Sequence, residues 1–123
     1  MAVRMYHLPV DAHDLPLLAR FWSAVLDWQV LFEDEDEDEI VIGAHETALP
    51  GMCFLPVPER KTVKNRLHID LTPDDQDAEV ERIIALGARR LDVGQGPDAT
   101  WVVLADPEGN EFCVLRPKRT LTD

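Results

Sequence analysis

A pattern laid down twice is the strongest constraint in this sequence. His7 overlays His68 at a shift of 61 residues, and the same shift puts Asp14 on Asp75, Ala19 on Val80 and Trp22 on Ile83. One residue is then dropped. At a shift of 60, Cys53 falls on Cys113, the chain's other cysteine. Duplication of a strand–helix–three-strand unit accounts for these coincidences. It restricts the chain to an α+β fold of two βαβββ modules, 1–57 and 66–118, joined by a linker at 58–65 and forming one domain.

In the first module, residues 4–10 alternate as a strand, and Pro9, which has no N–H for a ladder, places it at an edge. Asp14 is the expected N-cap of a helix with Pro16 in its first turn; Leu15, Leu18, Ala19, Trp22, Val25 and Leu26 form its apolar stripe. Trp22 is assigned to the core. Strands follow at 28–32, 40–42 and 51–55. Between the first two lies a run of seven acids, 33–39, whose mutual repulsion marks a solvated hairpin tip. The second module repeats the order: a strand at 66–71, a helix at 74–86 and strands at 90–93, 101–105 and 112–115. Thr72 is expected to cap that helix with Pro73 at its first position, Val80, Ile83 and Ile84 supply its buried face, and Gly87 ends it. Turns are expected at 94–97 and at Asp106-Pro107-Glu108-Gly109-Asn110.

The strand at 66–71 carries the chemistry. Its alternation places Leu67, Ile69 and Leu71 on a face for the helix to cover, and Arg66, His68 and Asp70 on the wall of a pocket. A ligand there meets base, imidazole and acid together; a salt bridge between neighbouring strands is the structural alternative. His68 beside Asp70 is a candidate general base. Trp101 and Trp28 either line a small-molecule cup or pack against a helix. His13 is expected at the surface. No serine–histidine–acid signature, phosphate-binding glycine loop or closely spaced cysteine pair occurs.

Charge narrows the partners. Twelve bases against twenty-four acids give a net charge of −12, which argues against nucleic acid and is compatible with a cationic ligand, with solubility an equally good account of it. Residues 1–57 hold eleven acids and two bases, net −9; the remainder is net −3. With no apolar run of about 18 residues and no signal-peptide core, a cytoplasmic protein without membrane partners is expected. The two cysteines are then expected as thiols rather than a disulfide.

The residues from Asp14-Leu15 through Ala19-Arg20-Phe21-Trp22 to Leu26-Asp27-Trp28, then Arg66–Leu71, Leu86-Gly87-Ala88 and Trp101–Phe112, resemble the vicinal oxygen chelate superfamily, the glyoxalase and bleomycin-resistance fold. The most specific part is the Asp-Pro-Glu-Gly-Asn turn before the last strand. The resemblance covers nearly the whole chain and implies a glyoxalase-like cupped sheet, paired in a homodimer, with His7 and His68 in one hollow. It also implies a four-residue metal set at His7, Cys53, His68 and Cys113. Position 113 departs from the family pattern, which has a glutamate there, and position 53 also lacks a carboxylate. Two thiols with two imidazoles suit closed tetrahedral zinc; both cysteines also fit as small apolar strand residues.

The resulting expectation is a protein that holds a small organic molecule in the cup, for sequestration or metal-independent conversion. Its ligand contacts are His7, Arg66, His68, Asp70, Trp101 and Cys113, and its catalytic pair is His68 with Asp70. No cofactor is expected. The alternative is a divalent-metal lyase, isomerase or dioxygenase of the superfamily type.

Overall fold

A computed structural model of the chain describes residues 2–36 and 38–123, so Glu37 of the acidic run lies outside the described residues. The chain divides into two units, Met1–Arg60 and Lys61–Asp123.

The first unit is built around α1, Leu15–Leu26, which follows β1, His7–Ala12. Asp14 caps the helix, its carboxylate accepting from Leu17 N at 3.2 Å. Leu15, Leu18, Ala19, Phe21, Trp22 and Val25 are buried, and each large apolar side chain removed from water contributes about 1.5–3 kcal/mol. Phe21 and Trp22 meet edge to face at 5.3 Å. The helix ends at Asp27, a non-glycine in the left-handed region at φ 53°. Ser23 Oγ then donates to Trp28 O at 2.6 Å, so Trp28 lies in the helix exit and β2 begins one residue later, Gln29–Glu33.

With β3, Ile40–Gly43, and β4, Gly51–Pro56, the sheet order is β1-β4-β3-β2. β1 is parallel to β4 and lies at an edge, as Pro9 requires; the other pairs are antiparallel. α1 packs on β3 and β4. The run begins in β2 with Glu33, and its described members beyond that strand lie between β2 and β3, where Asp34 N donates to Glu39 O at 3.0 Å. Glu39 departs from the expected solvated run: its side chain turns back to Cys53.

The second unit has the same plan: β5, Ile69–Leu71; α2, Gln76–Ala85; β6, Arg89–Arg90; β7, Val102–Ala105; β8, Glu111–Val114, in the order β5-β8-β7-β6. Pro9 stands opposite Cys53 in one sheet, and Asp70 stands opposite Cys113 in the other. The shifts of 61 and 60 read from the sequence are therefore those of the two parallel strand pairs.

β1 runs over His7–Ala12 rather than 4–10, and three expected elements of the second unit change. β5 is three residues, not six, and Leu67 is 81% exposed rather than packed under the helix. The ladder stops because Glu111, the next partner on β8, is engaged elsewhere: its carbonyl accepts from Asn65 Nδ2 at 3.3 Å and its carboxylate from Asn65 N at 2.9 Å. The α2 cap is Asp75, which accepts from Ala78 N at 3.1 Å, and not Thr72, whose hydroxyl accepts from Lys118 N at 2.8 Å. β6 covers two residues, because the Asp92 carboxylate accepts from Gly94 N at 2.8 Å and starts the turn early. The Asp106–Asn110 turn forms as expected. The buried Asp106 carboxylate gathers the N–H groups of Glu108 and Asn110, both at 2.9 Å, and the Asn110 amide at 2.8 Å.

Candidate functional site

The parallel pairing of β5 with β8 sets the site. Strand alternation brings Asp70 and Cys113, opposite one another, to the same face. Val103 is paired with Cys113 on β7 and joins them. The same face of the second unit lines a cavity of about 350 Å³ with His68, Asp70, Trp101, Val103, Cys113 and Leu115. Lys64, Val93 and Glu111 complete it. Aromatic and aliphatic walls with a few convergent polar groups are the usual make-up of a small-molecule site.

His68 and Asp70, two residues apart, do touch: Nδ1 lies 3.4 Å from Oδ1, with both side chains about half-exposed. A carboxylate at that nitrogen favours the tautomer protonated on Nδ1, leaving the Nε2 lone pair for a ligand. Burial pushes the Cys113 thiol above its ordinary range, and the charge of Asp70 and a hydrogen bond to it push the same way, against the opposing charge of Lys64. The thiol therefore stays protonated and acts as a donor near neutral pH. Glu111 is the anchor of the rim. It binds Lys61 Nζ at 2.8 Å and Asn65 N at 2.9 Å, fixing the segment that carries Lys64.

Of the residues expected to bind ligand, His68, Asp70, Trp101 and Cys113 lie on this one cavity. Trp101 lines it instead of packing under a helix. Arg66 is exposed, in the bend before β5, and is not among the lining residues. His7 belongs to the first unit, where it lines a different cavity opposite Gly51, its ring tilted 32° to that of Tyr6 with centroids 4.1 Å apart. Cys53 is buried there, its thiol donating to Glu39 Oε2 at 3.2 Å. The four-residue metal set thus divides two and two between the units. Sequence reasoning passed over Glu111 and Val103, although both share the alternation of Cys113 and Trp101. It also passed over Glu39, hidden in an acidic run read as solvent-facing.

Among the described residues, one group of three can offer a metal its donors: a His68 nitrogen, an Asp70 oxygen and the Cys113 sulfur lie within 4.8 Å of one another. Ligand atoms on tetrahedral zinc stand about 3.5 Å apart, given bonds of about 2.0–2.3 Å, so small side-chain rotations close the set. Imidazole, carboxylate and thiolate suit zinc better than magnesium or manganese, which prefer oxygen.

Residues 7–115 match the family model described as the glyoxalase-like domain. The chain belongs to the glyoxalase-like domain family. Its structural neighbours share its fold. The fosfomycin resistance protein FosX of Listeria monocytogenes, with manganese(II) and a dihydroxypropylphosphonic acid, has a TM-score of 0.74 at 16% identity, over 96% of this chain and 93% of that one. The trypanothione-dependent glyoxalase I of Leishmania major has a TM-score of 0.68 at 17% identity, over 94% and 87%. TnmS3, an antibiotic-binding protein from a Streptomyces species, has a TM-score of 0.63 at 17% identity, over 96% and 99%. At such identities these glyoxalase-like neighbours share the fold, and the site must be argued from its own residues. No curated protein matches the sequence. Among the described residues no helix is long and apolar enough to cross a membrane.

Proposed function

We propose that the second unit binds a small organic molecule in the cavity around His68, with an apolar body against Trp101, Val103 and Leu115 and a polar group at the His68–Asp70–Cys113 rim. The observation that carries this reading is the convergence of those three polar side chains on one apolar-walled cavity of about 350 Å³. The antibiotic-binding neighbour supports it by analogy of fold. His68 accepts a proton at Nε2, and Asp70 orients the ring while accepting the hydrogen bond of the protonated Cys113 thiol. The same groups serve sequestration and, for a ligand with an acidic C–H or O–H near Nε2, proton abstraction without a metal. A thermal-shift screen of small organic molecules on the wild type and His68→Ala tests it, because a ligand that binds the native state raises its stability. Hits that stabilise the wild type and lose their effect in His68→Ala support the reading; hits indifferent to His68 refute it.

The same three donors support a second reading, a divalent-metal site of zinc preference. His68, Asp70 and Cys113 would hold the ion, which would supply Lewis-acid polarisation of a ligand oxygen. Holding it requires the Cys113 proton to leave, so uptake rises with pH. Stoichiometric zinc that survives dialysis and is lost from Cys113→Ser would favour this reading over the first.

A further inference from the structure

The first unit has a cavity of its own, of about 430 Å³, with a different chemistry. Two aromatic rings stand on it largely uncovered: Tyr6 is 65% exposed and Phe32 50%. Leu49, also exposed, and Val41 extend this apolar wall. Gly51 keeps the floor open, because a Cβ there would stand 3.7 Å from the His7 ring and 2.9 Å from the Ile42 carbonyl oxygen. The cavity's charged lining is one-sided. Glu39 and Glu46 line it together with the imidazoles of His7 and His45, and among the described residues no lysine or arginine does. Glu39 is held in place by its contact with Cys53: Oε2 accepts the thiol proton at 3.2 Å, and Oε1 remains for a ligand.

We propose that this cavity binds a small organic cation, a protonated amine or quaternary ammonium carried on an aromatic or aliphatic body. The head sits at the carboxylates of Glu39 and Glu46, and the body covers Tyr6 and Phe32. Ring faces attract a cation through their quadrupole, and they cover an organic body as they would not a hydrated metal ion. The surrounding residues 1–57 carry a net charge of −9, a field that draws cations in and repels anions. The proposal goes beyond the reading of the His68 cavity and does not depend on it.

Calorimetric titration with three probes of one shape tests it: para-hydroxyphenyltrimethylammonium, its neutral isostere para-tert-butylphenol, and the anion para-hydroxybenzenesulfonate. The cation is expected to bind about tenfold more tightly than the phenol, and the sulfonate not at all. Glu39→Gln and Glu46→Gln should each weaken the cation several-fold and leave the phenol unchanged; Phe32→Ala should weaken both. Added salt should weaken the cation alone. Glu46 is exposed, so its variant folds even if loss of the Glu39–Cys53 contact disturbs the first. His68→Ala should leave the cation's affinity untouched, which keeps failure here distinct from failure of the second unit's site. Equal binding of cation and phenol, indifference to both glutamate substitutions, or loss of the cation in His68→Ala would overturn the proposal.

Discussion

Glu111→Gln probes how the rim of the His68 cavity is held. The Glu111 carboxylate binds Lys61 Nζ at 2.8 Å, with the two side chains only 13% and 18% exposed, and Asn65 N at 2.9 Å. Burial alone would raise this carboxyl. The hydrogen bonds from Lys61 and Asn65, a contact with its own backbone N–H and the Lys61 charge outweigh burial and hold it below the ordinary 4.5. Glutamine keeps the size and loses the charge, so one charge-assisted hydrogen bond is lost and another weakened. That is worth about 2 kcal/mol, or about 1–2 M in the urea midpoint for a domain of this size. The sign with pH follows from the depressed pKa. The contribution is complete above the unfolded value near 4.5 and disappears as pH falls through the lower folded value. Urea unfolding of the wild type, Glu111→Gln, Lys61→Met and the double variant, at neutral pH and at about pH 3, measures both the coupling and its pH dependence. Equal midpoints for wild type and Glu111→Gln at neutral pH would refute the reasoning, as would a difference undiminished at the acid end.

Other consequences are as direct. The Cys53 thiol, pushed up to about 11 by burial and then by its bond to Glu39 and that carboxylate's charge, should react about a hundredfold more slowly near neutral pH than an ordinary thiol. In Cys113→Ala, its labelling rate with a thiol-reactive disulfide should keep rising beyond pH ~9, and a midpoint at ordinary thiol pH would contradict the Glu39 contact. Gly51→Ala should destabilise by about 1–3 kcal/mol through overpacking, because the new Cβ meets the Ile42 carbonyl oxygen at 2.9 Å; an unchanged melting temperature would contradict that approach. Asp75→Ala should cost about 1 kcal/mol of stability through loss of the α2 cap, and Asp75→Ala without effect on unfolding would return the cap to Thr72.

What could be read from the residues was whatever depends on local period and on the repeat. The spacing of Leu15, Leu18, Trp22 and Val25 needs no tertiary information to specify α1. The Asp-Pro-Glu-Gly-Asn turn carries its own hydrogen-bonding carboxylate in Asp106. The overlay of His7 on His68 and Cys53 on Cys113 reflects the register that the two sheets share, although the pairing of Asp70 with Cys113 appears only in the folded sheet. What could not be read depends on competition between distant groups. The alternation of Arg66 to Leu71 continues past the strand's true start, and only the claim of Asn65 on Glu111 shows where pairing ends. Thr72 and Asp75 are both good caps in isolation; the N–H of Lys118, 46 residues away, decides between them. Glu39 looked like any member of an acidic run until β3 paired with β4 and brought it to Cys53.

The central claim is that a ligand occupies the cavity walled by Trp101 and rimmed by His68. Side-chain NMR during titration of a thermal-shift hit tests it most directly, through the indole N–H signals and the imidazole signals. The account predicts saturable shifts at Trp101 and His68 with the buried Trp22 indole unmoved. Saturable binding that leaves both Trp101 and His68 unperturbed would contradict it.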